Sequence, residues 1–396
     1  MMKKHLALLC GVLYPQPSAT GLCAERFADL LSDEYDIDII SISSSGRPES
    51  AEKNAMRIHA LLGKRMQAER AGTGLKKQVL HALGGAQIKT SMLGNLSWFR
   101  SAALRCLEQE HKRRPFDAVF SVCSPFAAHC AAMDFCSKHA DIRWCAYTVD
   151  PYASDNRIRP FGCSLKRLTE FECEVCSRPD ALLLSEEAFA SCEALRASNK
   201  NCRALPYLLP AFNEAEPDRS FFSEQGIHCV YAGSFYPELR NPQPMLDAFC
   251  ALPAQNVYLH LFSKGCEQMI SEYAARDQRI VRHDPISHDR IVSVYQAADV
   301  LVNVENNVPE FLPSKTFEYI AACKPIVCFG KGQSRELLSA HPAAILFSGE
   351  ADDTNRLGEF LQKNLHITIT KNDIVSRYEK YAGNNIKKIL KRALQK

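Results

Sequence analysis

Three residues in one short run could do chemistry together: Ser314, Lys315 and Glu318, in Pro313-Ser314-Lys315-Thr316-Phe317-Glu318. Ser314 is a good helix N-cap, because its oxygen accepts hydrogen bonds from first-turn amides. A helix is therefore predicted to start here. Free amides and the positive end of a helix dipole suit an anion, typically phosphate, and Lys315 adds a full charge. Glu318 sits one turn into the helix. A carboxylate there is badly placed for phosphate but well placed to accept from ribose hydroxyls. Glu310, eight residues before Glu318, adds a second carboxylate in the preceding loop. Two acids flanking a cationic helix start fit a nucleotide diphosphate-sugar. An ordinary cap, a surface lysine and two solvated acids would use the same residue types, so context decides.

The elements around this run supply that context. Ala298 to Val302 is a short apolar, β-branched run, read as a buried strand. A polar loop follows to Pro313. Phe317, Ile320 and Ala321 recur at helical spacing, Pro325 ends the helix, and Ile326 to Phe329 is another buried strand. In a parallel sheet a loop so placed lies at the carboxyl edge, where α/β proteins bind ligands. The same alternation runs along the chain. Strands are predicted at 5–13, 37–42, 117–122, 144–149, 181–184, 228–232, 257–262 and 344–347, with helices between them. After the strand at 228–232, Gly233-Ser234 lets backbone approach a ligand closely, and Arg240 follows before the next helix. Lys264 ends another strand and is a further candidate phosphate contact, or a surface lysine. Asp150, directly after its strand in Val149-Asp150-Pro151, places a carboxylate at the carboxyl edge of the first half; Asp before Pro is also a common turn element.

Glu310-x7-Glu318, continuing as Glu-Tyr-x-Ala-x-x-Lys-Pro-Ile, resembles the donor-site signature of retaining GT-B glycosyltransferases of the family-4-like group. The Pro-Ser-Lys form resembles the subgroup that builds bacterial capsule and exopolysaccharide. The resemblance implies an α/β fold of two Rossmann-like domains facing across a cleft, with a C-terminal helix crossing back to the first domain. It implies that Glu318 holds the ribose and that Glu310 lies near the donor sugar. It implies diphosphate contacts from the loop after Gly233: Arg240 matches the family's Lys, and Ser234 stands where an Arg is usual, with Lys315 compensating. It raises Asp150 as a catalytic or acceptor-binding residue. This sequence departs from the pattern at Phe311-Leu312-Pro313, where Gly-Phe-Gly is usual, and at Cys323, where a helix-ending Gly is usual. The helix is therefore expected to end differently here, since a left-handed non-Gly cap costs about 1 kcal/mol.

At 396 residues, 46% hydrophobic and 23% charged, the chain has the size and composition of a two-domain globular protein. The expected division is an acceptor-side domain over 1–208, a donor domain over 225–369 and a returning basic helix over 370–396, joined by a Pro-rich linker near 207–218. No apolar run reaches the roughly 20 residues needed to cross a bilayer. The start, Met1-Met2-Lys3-Lys4 before an apolar run, mimics a signal peptide but is read as the first strand, because a loop and helix follow it. Seventeen cysteines lie scattered through apolar segments, which suits reduced core thiols in a cytosolic protein. Cys173-x-x-Cys176 lacks a second pair, so no metal site is expected.

Residues 52–114 carry 13 Lys/Arg against 4 Asp/Glu, and residues 371–396 carry 8 against 2. Two basic segments on an otherwise acidic protein point to an anionic surface or substrate. Within 46–100, an irregular insertion, the apolar Leu93, Leu96, Trp98 and Phe99 would let such a surface dock on anionic lipid. No nucleic-acid module is recognisable.

The expected function is transfer of a sugar, with retention, from a nucleotide diphosphate-sugar to a glycan or polyprenyl-linked hydroxyl in surface polysaccharide synthesis. The resemblance places it in the cytoplasm at the inner face of the membrane, with the nucleotide-sugar as co-substrate and no cofactor or metal. Two alternatives stand beside it: a sugar-nucleotide epimerase of the same fold, and a non-catalytic nucleotide-sugar or lipid-binding partner of a transferase.

Overall fold

The computed structural model describes residues 3–15, 17–45, 48–53, 56–62, 92–154, 163–212, 215–223, 225–307, 315–332, 334–348, 353–364 and 367–395. Glu310, Ser314 and residues 63–91 of the basic insertion lie outside them. The chain divides into two compact units, Met1–Leu208 with Gly383–Lys396, and Leu209–Ala382.

Unit 1 is built on an eight-stranded sheet in the order β3-β4-β2-β1-β5-β6-β7-β8. Its strands are β1 (Lys4–Tyr14), β2 (Tyr35–Ser43), β3 (Glu49–Lys53), β4 (Met56–Leu61), β5 (Ala118–Cys123), β6 (Arg143–Thr148), β7 (Ala181–Leu184) and β8 (Cys202–Ala204). The run that mimics a signal peptide is a central strand, parallel to β2 and β5. From Leu6 to Leu13 it is apolar because both faces are covered. With a period of two, Leu6, Leu8 and Cys10 meet α1 (Ala19–Leu31) on one face. Ala7 and Leu9 meet α2 (Ser97–Arg113) and α3 (Ala127–Cys136) on the other.

Two expectations for this unit are corrected. The start of the insertion is an edge hairpin, β3 antiparallel to β4, whose signal was the alternation Met56, Ile58, Ala60, all buried. Leu93 and Phe99 are buried in the core, and Leu96 and Trp98 pack against it. Core packing takes Leu93 and Phe99 fully and covers part of Leu96 and Trp98, which reduces the apolar surface this run presents. Part of the basic charge is also matched, Arg100 by Asp134 and Arg114 by Asp36, both at 2.6 Å.

Unit 2 has six parallel strands in the order β11-β10-β9-β12-β13-β14. They are β9 (Ile227–Ser234), β10 (Val257–Lys264), β11 (Ile280–His283), β12 (Val300–Val304), β13 (Ile326–Phe329) and β14 (Ala344–Phe347). The order reverses at β9, between β10 and β12. The helices are α7 (Gln243–Cys250), α8 (Glu267–Arg276), α9 (His288–Ala297), α10 (Lys315–Ala321), α11 (Ser334–Ser339) and α12 (Asp353–Asn364); unit 1 also holds α4 (Leu165–Cys176), α5 (Glu186–Ser191) and α6 (Glu193–Ser198).

The basic helix expected over 370–396 is broken. It is α13 (Lys371–Arg377), a 3-10 turn at Glu379–Tyr381, and α14 (Gly383–Leu394). Tyr378 leaves the helical region to donate its hydroxyl to the Leu337 carbonyl at 2.9 Å, and Tyr381 packs on Phe317. The aromatic half thus belongs to unit 2. Ile386, Leu390, Ala393 and Leu394 join the core of unit 1.

Helix α10 ends in the left-handed region despite its lack of glycine: Cys323 has φ 55°, and its amide donates to Ile320 at 3.2 Å. The expected different ending is therefore not what occurs. Cys323→Gly relieves this strain, partly offset by a looser unfolded chain. We expect a gain of about 0.5–1 kcal/mol, read as a rise in Tm of about 2 °C for unit 2.

One face of unit 2 carries a histidine on each of three neighbouring strands. His228 Nδ1 lies 2.9 Å from His260 Nε2, and His260 Nδ1 lies 2.9 Å from His283 Nε2. His228 Nε2 meets the Ser223 carbonyl at 3.1 Å, which can only accept. Nε2 of His228 must then donate, and the direction propagates: all three rings are neutral Nε2–H tautomers. Phe222 stacks on His228, and Phe262 stacks on His283. The charged neighbours of His228 are Asp299 and Arg219. Burial and the two flanking imidazoles hold His260 down at about 3, and burial lowers His228 and His283 as well. A histidine with a depressed folded pKa stabilises fully above its unfolded value near 6.5, and that stability drains away as pH falls. His260 alone should cost on the order of 2 kcal/mol by pH 5. Urea unfolding at pH 7.5 and 5.0 checks this; equal midpoints would mean the ladder is open.

Candidate functional site

The order reversal at β9 opens a gap. Strand β12 pairs with β9 only at Val300–Cys229 and Leu301–Val230. Beyond that the strands part, and the Tyr319 hydroxyl of α10 takes the vacated ladder position, accepting from the Ala232 amide at 3.0 Å. Helix α10 is thereby tied to the carboxyl end of β9, at the kind of switch point where α/β sheets bind ligands.

A pocket of about 290 Å³ opens there, lined among others by Gly233, Ser234, Lys264, His288 and Lys315. Four residues predicted separately from the sequence, on three elements, thus share one site. Strands β9 and β10 end in register, Ser234 opposite Lys264. Gly265, with φ 82°, lets these ends close: a Cβ there would sit 2.1 Å from the Phe235 carbonyl oxygen. At Gly233, φ is 152° and a Cβ would lie 3.2 Å from the Tyr231 hydroxyl, so the wall next to the pocket stays bare backbone. The rest of the lining is apolar: Phe262, Pro285, Ile286 and Ile291.

Lys315 and Glu318 pair at 2.9 Å within α10. The other Glu318 oxygen meets His288 Nε2 at 3.3 Å. Burial opposes ionisation of Glu318, but the His288 hydrogen bond and the Lys315 charge outweigh it and hold the acid down at about 2. The acid is therefore a carboxylate throughout the neutral range. Lys315 Nζ also lies 3.4 Å from the hydroxyl of buried Tyr295. His288 was not foreseen from the sequence. Its partner is 30 residues away, and no local spacing signals such a pair.

Arg240 spends its contacts on the loop itself, donating from Nε to Asn306 at 3.1 Å and from Nη1 to the Ser234 carbonyl at 3.4 Å. It braces the turn that carries Ser234 and joins it to the end of β12. Asp150 lies in unit 1, just past β6. The turn after it is fixed by buried Glu172, which accepts from the Tyr152 and Ala153 amides at 2.6 and 2.9 Å. Burial pushes Glu187 above the usual carboxylate range, and Asp150 adds to that push. Two acids thus gather at this carboxyl edge, beside Tyr207. His129 is a satisfied core histidine between Ser121 and Thr148.

Among the described residues, Asp38, His59 and Glu110 have spacing that could hold a metal ion. Asp38, however, is engaged by Arg57 at 2.6 and 2.7 Å and by His5 at 2.9 Å. A guanidinium on both carboxylate oxygens opposes a dication.

A scan of protein-family models finds no match, and no curated protein matches the sequence. Solved structures do match along nearly the whole chain. Sucrose-phosphate synthase from Thermosynechococcus elongatus is 13% identical, covers 98% of each chain and has a TM-score of 0.65. Anabaena HepE in complex with UDP is 15% identical over 99% of each chain, with a TM-score of 0.61. A UDP-forming α,α-trehalose-phosphate synthase from Burkholderia xenovorans, in complex with glucose-6-phosphate, is 12% identical over 99% of this chain and 100% of that one, with a TM-score of 0.62. At these identities the likeness is one of fold.

Proposed function

The chain has the GT-B fold, and on that premise we propose that it is a glycosyltransferase taking a nucleotide diphosphate-sugar into the pocket of unit 2. The observation that carries this reading is the convergence of Gly233, Ser234, Lys264 and Lys315 on one pocket beside an ionised Glu318 that is 12% exposed. Anabaena HepE, of the same fold, was solved with UDP and with UDP-glucose.

Each part has a task that follows from its chemistry. Lys315 and Lys264 offset charge on the departing diphosphate, which lowers the barrier for breaking the glycosidic phosphate bond. Bare backbone at Gly233 admits the phosphates closely. Glu318 accepts from the ribose hydroxyls, and the apolar wall from Phe262 to Ile291 receives the base. Arg240 holds the Ser234 turn in place. Glu310 contacts the donor sugar, and Asp150 orients the acceptor. The reaction proceeds with retention, the leaving phosphate assisting attack on the same face. The acceptor is a glycan or polyprenyl-linked hydroxyl in surface polysaccharide synthesis, at the cytoplasmic face of the membrane; no described helix is long and apolar enough to cross it.

A thermal-shift screen of nucleotide-sugars, followed by product analysis with and without acceptor, tests the reading. A donor at 100 times its Kd should add about 2.7 kcal/mol of stability. If no nucleotide raises the melting point, the assignment fails; if the sugar changes without acceptor, the enzyme is an epimerase.

A further inference from the structure

Among the described residues Tyr236 is the one aromatic side chain that stands largely in solvent, 54% exposed. A lone exposed ring is ordinary on a protein surface; what sets this one apart is how it is mounted and where. It sits two residues past Ser234, in the turn that leaves β9. Tyr236 and Arg240 exchange both backbone hydrogen bonds, at 3.2 and 2.7 Å. Just before, the Phe235 amide donates to the Lys264 carbonyl at 2.7 Å, and the buried Phe235 ring stacks on Tyr231. On the far side Asn307 donates its amide to the Leu239 carbonyl at 2.6 Å and its side chain to the Glu238 carbonyl at 3.2 Å. Pro237 fixes φ within the turn. The turn is thus anchored beside both β10 and β12, and its backbone has little freedom left to lose on binding.

The place of the ring follows from the strand order. Strands β10 and β12 flank β9 on opposite sides. The apolar wall that receives the base lies on the β10 side, with Phe262, Pro285 and Ile286. A nucleotide diphosphate-sugar that crosses Gly233 and Ser234 from that wall carries its sugar toward the other flank, where the turn is tied to Asn306 and Asn307. The Tyr231 hydroxyl, which faces Gly233, is also within electrostatic reach of Tyr236, so the ring belongs to the rim of this site.

We infer that Tyr236 is the platform on which the sugar ring of the donor packs. This rests on the donor-site reading of the pocket, and adds the part that tells a nucleotide-sugar from a bare nucleotide. A pyranose presents a face of C–H groups inside a rim of hydroxyls, and a tyrosine offers an apolar face with a polar tip. Packing the two together removes both faces from water. A tyrosine has only two side-chain torsions to fix, so little entropy opposes the contact. Aromatic packing of this kind changes affinity by about three- to tenfold.

Calorimetric titration of the full chain with UDP and UDP-glucose, and with GDP and GDP-mannose, tests this, alongside melting curves without ligand. Tyr236→Ala is expected to melt close to the parent, to bind the free nucleotide as the parent does, and to bind the nucleotide-sugar about three- to tenfold more weakly. Tyr236→Phe and Tyr236→Trp keep the platform and should bind both ligands as the parent does. Equal weakening of nucleotide and nucleotide-sugar would assign the ring to the nucleotide or to the turn, and overturns the inference. A Tyr236→Phe variant as weak as Tyr236→Ala would assign the effect to the hydroxyl, and overturns it too. So does a Tyr236→Ala variant with parental affinity for the nucleotide-sugar, or a parent that binds a nucleotide but neither nucleotide-sugar. In all these cases the pocket remains the donor site. If the parent binds none of the four ligands, both readings fall.

Discussion

Lys315→Ala is expected to lower glycosyl transfer by about 10²- to 10³-fold while changing donor affinity far less. The reason lies in when the charge matters. In the ground state the diphosphate is already solvated or paired, and one more cation adds little. In the transition state negative charge grows on the leaving oxygen, and a cation placed at the pocket stabilises that growth; removing one such group typically costs a factor of this size. Lys315 is pre-placed for this by the Tyr295 hydroxyl and by Glu318. Glu318→Ala should show the opposite balance, a weaker donor KM with a smaller change in kcat, because ribose contacts are the same in both states. Steady-state kinetics on both variants decide the matter. Two parent-like variants would remove the site from the reaction.

The second large effect concerns stability. Deleting 383–395 should abolish the cooperative folding of unit 1. Ile386, Leu390 and Leu394 are essentially buried against Leu6, Leu8, Phe27 and Tyr147. At about 1.5–3 kcal/mol for each fully buried aliphatic chain, their loss removes about 5–9 kcal/mol, against a typical total of about 5–15 kcal/mol for a domain. The polar side of the helix adds ties from Lys387 to Asp33 and from Lys391 to Glu34. The milder Leu390→Ala should keep the fold at a cost of about 2–5 kcal/mol. Urea titration of both variants measures this; a deletion that unfolds at the parent's midpoint contradicts it.

The strand and helix pattern was legible because it is local. Ile326–Phe329 and Ala344–Phe347 lie where their apolar runs place them. The pocket was legible through Gly233, Ser234, Lys264 and Lys315, since each stands at the carboxyl end of a strand or the start of a helix. What escaped was non-local. The histidine ladder joins three strands, and His288 meets Glu318 across two elements; each residue alone reads as an unremarkable polar position. The hairpin at β3–β4 escaped because its outward residues, Arg57 and His59, mask a short alternation. The break at Tyr378 escaped because helical spacing continues through it, and only the buried hydroxyl bond to Leu337 shows where the chain changes allegiance.

The path of the backbone has a consequence for biogenesis. Unit 1 is left at Leu208 and rejoined only at Gly383, so the whole of unit 2 is threaded in as an insert. On the ribosome the first sheet emerges early with the face it shares with α1 only partly covered, and the helix that completes the cover follows the whole of unit 2. Unit 2 is contiguous and can close as soon as it clears the exit tunnel. The half synthesised first is thus completed last, and the part of its face that α1 leaves open exposes the nascent chain to aggregation and makes it a natural target for chaperones.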